Sequence, residues 1–121
     1  MNQQKNISLK SRKKSFSYAI HGIVALVKRE PNAKLHALAS IVAVSAGIIR
    51  HISHWQWAML AVAIGLVWIT EALNTCIEKL CDFCCDNRIH PAIKIIKDIS
   101  AAAVLIAAVV SIVVGTIIFI L

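Results

Sequence analysis

The last 23 residues of the chain, 99–121, contain no charged residue, and this segment limits the possible folds more than any other. A helix of roughly 18 to 20 apolar residues crosses the ~30 Å hydrocarbon core of a bilayer. Two more apolar runs precede it, and 59% of the 121 residues are apolar, which is more than a soluble domain of this size carries. The sequence therefore predicts an all-α integral membrane protein with spans at about 33–49, 56–72 and 99–121.

Basic residues predict the orientation of these spans. Eight of the thirteen Lys and Arg lie in residues 1–34, four lie in 79–98, and only Arg50 lies in the turn between the first two spans. Three spans place the amino terminus and the 73–98 connection on one side, which the positive-inside rule identifies as the cytoplasm. All six acidic residues lie on that side too. We therefore expect a multi-pass protein of the inner (cytoplasmic) membrane whose active site faces the cytoplasm.

The segment before the first span has two parts. Residues 1–14 lack the apolar core and small-residue cleavage site of a signal peptide and are interpreted as a basic cytoplasmic tail that lies against anionic lipid. Residues 15–29 carry an amphipathic stripe and predict a helix in the interface plane, with packing on the spans as the alternative. Pro31 is expected to end this helix. Residues 15–121 are thus interpreted as a single membrane domain.

Three helices of this length leave open flanks, so we expect a homo-oligomer. Small residues in the last span would allow its helices to approach closely: Ala101, Ala102, Ala103, Ala107 and Ala108.

Four polar residues follow the second apolar run at spacings of three, four and four: Glu71, Asn74, Glu78 and Asp82. At about 100° per residue they share one stripe of a helix. Glu78 and Asp82 could simply be the wetted face of a helix that continues into the cytoplasm. Glu71, however, lies at the apolar boundary, where an ionisable side chain is a functional candidate by default, and we interpret it as a general base. Asn74 and Glu78 offer the oxygen ligands that Mg²⁺ prefers, which suggests phosphoryl transfer.

Phosphate binding must rely on side chains, because the four glycines are isolated and form no glycine-rich loop. Lys94 and Lys97, just before the last span, are candidate donors to phosphate oxygens. Alternatively, both lysines only mark the cytoplasmic side, and Lys94 forms an ordinary helix pair with Asp98. The cysteines around Cys81 make half a zinc site and are interpreted as structural.

The stretch "EALNTCIEKLCD", followed after a short loop by "HPAIKIIKDISAAAV", closely resembles the small prokaryotic diacylglycerol kinase family. The resemblance covers the chain from Ser15 to its end. It implies a homotrimeric membrane enzyme that moves the γ-phosphate of ATP-Mg to a lipid hydroxyl at the cytoplasmic interface. The expected partners are therefore a membrane lipid alcohol, ATP, Mg²⁺ and two further copies of the chain, with no nucleic acid.

The resemblance assigns the catalytic and metal residues. Glu71 matches the general base, and Asp98 matches the aspartate that orients this base. Glu78 matches a magnesium-binding glutamate. Glu30, just ahead of the first span, looks like the second one.

The resemblance also assigns residues to the nucleotide. Lys97 matches a lysine on phosphate, Lys94 lies beside it, and Asn74 and Asp82 match polar members of the site. The loop after Asp82 is one residue longer than the family pattern. A glutamate expected there to contact nucleotide has Asp86 as its nearest counterpart.

The acceptor is either diacylglycerol or undecaprenol. The stretch "EPNAKLHA" resembles the pattern of undecaprenol kinase-like relatives, which favours a polyprenol. Two other classes are a small multidrug-type exporter and a non-catalytic membrane adaptor. The exporter would place its glutamate mid-span among aromatic residues, whereas Glu71 lies at a boundary. The adaptor would make the Glu71, Asn74 and Glu78 spacing a coincidence.

Overall fold

The computed structural model describes the backbone of residues 2–121 and the side chains of residues 8–121. Four helices follow one another: α1 (Asn2–Arg29), α2 (Pro31–Arg50), α3 (His54–Cys84) and α4 (Pro91–Phe119). Helices α2, α3 and α4 are long and apolar enough to cross a membrane. The predicted all-α class with an amino-terminal helix and three spans is confirmed.

Helix α1 is longer than the surface helix expected over 15–29. It begins at Asn2, so the backbone of residues 2–14, interpreted above as a tail, is helical as well. Met1 and the side chains of residues 2–7 lie outside the described residues. Lys28 and Arg29 in the last turn place positive charge at the negative end of the helix dipole. The division of the chain into a tail and a membrane domain stays a prediction.

Helices α1 and α2 are separated by one residue. Glu30 is extended, with φ −104° and ψ 119°, and Pro31 opens α2 at a position where its missing N–H costs no hydrogen bond. The predicted break at Pro31 is confirmed. It also leaves the Glu30 carboxylate free of a capping role, because its side chain makes no cap hydrogen bond.

Helices α2 and α3 form a tight hairpin. His51 closes α2 in the left-handed conformation, with φ 52°. Ser53 then opens α3 through a capping box: its hydroxyl accepts from Gln56 N at 3.3 Å, and Gln56 Oε1 accepts from Ser53 N at 2.9 Å. Within the hairpin, Gly47 is buried and lies against the Trp57 indole.

Helix α4 returns along α3 and ends beside the hairpin turn. Arg50 Nη1 donates to Phe119 O at 2.8 Å, so the turn and the end of α4 lie at the same end of the bundle. Along the α3–α4 interface, Ser111 Oγ contacts Ala63 O at 3.2 Å.

Helix α3 extends well past the span predicted at 56–72. Its 31 residues correspond to about 46 Å, compared with a hydrocarbon core of about 30 Å. Residues 85–90 then connect α3 to α4. Asp86 and Asn87 take positive φ values of 48° and 60°, and the His90 side chain caps α4 by accepting from Ala92 N.

Candidate functional site

The polar side chains of α3 gather at one end of the bundle, which we call the site end. Here α1 joins α2 and α4 begins, opposite the hairpin turn. The predicted stripe on α3 begins with its most enclosed members, since Glu71 is 2% exposed and Asn74 is 7% exposed. Burial of an ionisable side chain requires partners, and these come from the other helices.

Glu71 faces His36 of α2. His36 Nε2 lies 3.5 Å from Glu71 Oε2, and both side chains are largely buried. Neither atom has a hydrogen-bond partner among the described residues. His36 was not among the predicted site residues, although it belongs to the stretch "EPNAKLHA". One feature of the sequence could have indicated a role for His36: it is an ionisable residue inside an apolar run, one to two helical turns after Glu30.

Asn74 links α3 to α4 and contacts the next member of the stripe. Its Oδ1 accepts from Ser100 Oγ at 2.8 Å, and its Nδ2 donates to Glu78 Oε1 at 3.3 Å. Ser100 is also buried, at 7% exposure. The amide therefore holds one oxygen of Glu78 in a fixed direction. Ser100 was missed because a serine in an alanine-rich run carries no signal of its own.

Two lysines at the start of α4 have different surroundings. Lys97 faces α3 and donates a hydrogen bond to Asp82 Oδ1. Lys94 instead pairs with Asp98 at 2.7 Å, with both side chains exposed (70% and 64%). In residues 8–121 no hydrogen bond or ion pair joins Asp98 to Glu71, so the single chain does not bring these two together.

Glu30 reaches α3 from the break between α1 and α2. Its Oε1 lies 3.4 Å from Lys79 Nζ, next in sequence to Glu78. Both residues line a cleft of about 420 Å³ between α1 and α3. The break at Pro31 thus brings a carboxylate from a distant part of the sequence to α3 at Lys79.

The donor set at the site end suits Mg²⁺ when substrate completes it. Across the described side chains, no three His, Cys, Asp or Glu come close enough to hold a metal by themselves. Mg²⁺, however, usually takes only one or two carboxylates together with phosphate oxygens and water. Glu78, oriented by Asn74, and Glu30, paired with Lys79, provide two such carboxylates.

An apolar cleft of about 560 Å³ runs between α2, α3 and α4. It extends from His36 at the site end to Phe119 near the hairpin turn. Its lining hydroxyls already donate within the protein: Ser40 Oγ to His36 O at 2.7 Å, Ser111 Oγ to Ala107 O at 2.9 Å, and Thr116 Oγ1 to Ile112 O at 2.7 Å. The cleft therefore offers a largely apolar surface whose hydroxyls already donate to backbone carbonyls, and the unpartnered Nε2 of His36 lies at its site end.

Known proteins resemble this chain over most of its length. Residues 17–119 match the family described as prokaryotic diacylglycerol kinase. The undecaprenol kinase of Bacillus subtilis is 36% identical over 106 residues, which are 88% of this chain and 85% of that protein. The diacylglycerol kinase of Synechocystis sp. is 34% identical over 101 residues, which are 84% of this chain but only 58% of that protein.

Proposed function

Since the chain belongs to the prokaryotic diacylglycerol kinase family and is a membrane lipid kinase that uses ATP, we propose that it phosphorylates a lipid alcohol at the cytoplasmic face of the inner membrane. One observation supports this site above all. A buried carboxylate, Glu71, lies 3.5 Å from His36, which lines one end of an apolar cleft between three membrane helices, and the polar side chains of α3 continue from Glu71. A lipid hydroxyl reaches that point without leaving the bilayer, and ATP reaches it from water.

Glu71 acts as the general base. It takes the proton of the lipid hydroxyl as the hydroxyl oxygen attacks the γ-phosphorus of ATP. A new oxygen–phosphorus bond forms, the bond between the γ-phosphorus and the β,γ-bridging oxygen breaks, and ADP leaves. Glu71 then releases its proton to water. Because a lipid alcohol cannot enter water cheaply, the base must lie at the membrane boundary.

Glu30 and Glu78 would hold Mg²⁺. When bound, this ion neutralises the charge of the β- and γ-phosphates and orients them. Asn74 supports this role through its hydrogen bond to Glu78. The ion pair of Glu30 with Lys79 keeps the first carboxylate next to α3 before nucleotide arrives.

Lys97 and Lys94 donate to phosphate oxygens, and Asp82 holds the Lys97 ammonium on the α3 side of the site. Asp98 is proposed to orient the base. Within one chain its carboxylate pairs with Lys94 instead, so this role depends on how chains assemble. We propose a homotrimer, because three spans leave open flanks and the α4 segment 101–108 is rich in alanine.

The acceptor we favour is a polyprenol, as in the undecaprenol kinase that resembles this chain. The cleft supports this choice, because its lining hydroxyls all donate to backbone carbonyls. Diacylglycerol carries two ester carbonyls close to its hydroxyl, and the cleft offers them no free hydroxyl donor. Diacylglycerol is the second candidate, as for the other kinase that resembles this chain.

The direct test supplies purified protein in nanodiscs with γ-labelled ATP, Mg²⁺ and undecaprenol, farnesol or diacylglycerol. We expect label in the prenol phosphates at a higher kcat/KM than in phosphatidic acid. Preference for diacylglycerol would overturn the acceptor assignment. Failure to label any lipid alcohol, with the protein intact and monodisperse, would contradict the kinase activity itself.

A further inference from the structure

We propose that His36 binds the acceptor: its Nε2–H donates a hydrogen bond to the oxygen of the lipid hydroxyl, whose own proton faces Glu71 Oε2. This inference rests on the proposed function, since it concerns the acceptor of that same reaction. It adds a catalytic residue that the sequence analysis did not assign.

The proposal is based on two buried polar atoms that face each other. His36 Nε2 and Glu71 Oε2 lie 3.5 Å apart, both are buried, and neither has a hydrogen-bond partner among the described residues. Buried polar atoms of this kind are rare in proteins because each one loses its water without replacement. Two of them facing each other at one place indicate a group that both can contact.

An alcohol has the chemistry that this pair requires. Its O–H donates to a carboxylate, and its oxygen accepts from a neutral imidazole that carries its proton on Nε2. A phosphate oxygen can only accept, and Glu71 would repel it. The pair therefore selects a hydroxyl, and the His36 bond fixes the oxygen while Glu71 removes the proton.

The cleft determines which alcohol reaches this pair. His36 is its polar end, and from there the cleft follows α2 past Ala39, Ala43 and Ala46 toward Phe119. These alanines are three or four residues apart, so they face the cleft from one side of α2. A single hydrocarbon chain attached directly to the hydroxyl carbon, without ester groups, follows this path. We therefore assign the cleft to the first isoprene units of a prenol.

Two substitutions of His36 distinguish the effect of losing its hydrogen bond from the effect of changing its size and shape. His36→Gln retains an N–H donor near the position of Nε2, whereas His36→Met has similar size and no donor. We expect His36→Met to lower kcat/KM for farnesol by about 10- to 100-fold, the usual effect of a lost hydrogen bond to a reacting group. The KM for ATP should not change. His36→Gln should stay within a few-fold of wild type, and so should the control His21→Met, which alters an exposed histidine of α1.

Equilibrium binding of radiolabelled farnesol to each variant in nanodiscs provides a readout without turnover. His36→Met should bind farnesol about tenfold more weakly than wild type and His36→Gln. Equal binding by wild type and His36→Met would overturn the assignment. So would a His36→Gln variant as impaired as His36→Met, or a change confined to the KM for ATP. Farnesol binding that depends on the His36 donor, without phosphorylation by wild type, would support the subsite and contradict only the proposed function.

A second pair of variants tests the cleft. Ala43→Phe narrows it about two helical turns from His36, and Ala61→Phe is the matched control at an exposed position of α3 that does not line the cleft. We expect Ala43→Phe to weaken farnesol binding several-fold while binding of the five-carbon alcohol 3-methyl-2-buten-1-ol stays unchanged. If Ala43→Phe instead alters the oligomeric state and leaves farnesol binding intact, a second copy of the chain occupies the cleft and the assignment is wrong.

Discussion

The Glu71 side chain is buried but lies next to polar residues of α3. Its exposure is 2%, yet the next turns of α3 carry Asn74 and Glu78, which reach polar surroundings. In the proposed reaction this carboxylate meets the lipid hydroxyl on one side and the nucleotide on the other. His36 contacts it and is proposed to bind the lipid, whereas Lys97 pairs with Asp82 and is proposed to bind the nucleotide.

Replacing Glu71 by Gln tests its role as base. The amide has nearly the same size but cannot accept the hydroxyl proton, so kcat should fall by about 10² to 10⁴. The KM for ATP should remain near wild type, because other residues hold the nucleotide. Glu71→Asp, which keeps the carboxylate, should retain more activity than Glu71→Gln. Most of the turnover surviving in Glu71→Gln would exclude it as the base.

Replacing Glu78 by Gln tests the metal site. One negative oxygen ligand is lost, so the Mg²⁺ concentration for half-maximal activity should rise several-fold or more. Activity titrations with Mg²⁺ at saturating ATP measure this, and Glu78→Asp should shift less. If Glu78→Gln needs no more Mg²⁺ than wild type, Glu78 is not a ligand.

The stripe itself could be predicted from the sequence, since the spacing of Glu71, Asn74, Glu78 and Asp82 fixes a common face on any helix. Its partners on other helices could not. Ser100 meets Asn74 only because α4 returns along α3 in one particular register, and sequence spacing does not encode that register. The same holds for Lys79, which pairs with Glu30 across almost fifty residues of chain.

At the level of elements, specific local interactions define the α2–α3 hairpin. His51 takes a left-handed conformation, Ser53 and Gln56 form a reciprocal cap, and Gly47 allows Trp57 to pack against the α2 backbone. Apolar runs predicted where the helices of this hairpin lie. Hydropathy predicted only the span at 56–72, whereas the helical spacing of the stripe predicted that the helix continues to residue 82, and α3 ends at Cys84.

Gly47→Ala should destabilise this hairpin. An added Cβ would lie 2.8 Å from Trp57 Cη2 and 3.0 Å from Ile52 Cδ1, so the indole must move. We expect a loss of about 1–3 kcal/mol in the free energy of unfolding, the usual cost of overpacking. Gly65→Ala is the matched control on α3, where the new Cβ meets no atom within 4 Å. Unfolding both variants in a titration with denaturing detergent measures the difference in their free energies of unfolding. Equal stability of Gly47→Ala and Gly65→Ala would contradict the close packing seen at Gly47.

For the molecule as a whole, three antiparallel spans separate the two ends of the bundle. The hydrogen bond from Arg50 to Phe119 O holds the hairpin turn and the end of α4 together, whereas α1 and the 85–90 connection lie at the site end. Any orientation in a membrane must therefore keep residues 50 and 121 on one side and residue 86 on the other. From the charge distribution we propose that the site end faces the cytoplasm.

Cysteine labelling tests that orientation. In a background without the four native cysteines, single cysteines replace Arg50 or Asp86. With a membrane-impermeant maleimide on sealed cells, position 50 should react, and position 86 should react only after the membrane is opened. The opposite pattern would place the site outside the cytoplasm.

Because α3 is one uninterrupted helix, the distance between residues near its two ends is fixed and can be compared with the thickness of the bilayer. Sixteen residues separate Trp55, which prefers the lipid headgroup level, from Glu71, so the two lie about 24 Å apart along a helix that has no proline at which to bend. A thicker bilayer would draw the carboxylate below the headgroups and away from nucleotide, and a thinner one would lift it away from the lipid hydroxyl. We therefore expect phosphorylation rates in nanodiscs of defined acyl length to pass through a maximum, with losses on both sides. Hydrophobic mismatch would then regulate this enzyme through the composition of the membrane itself.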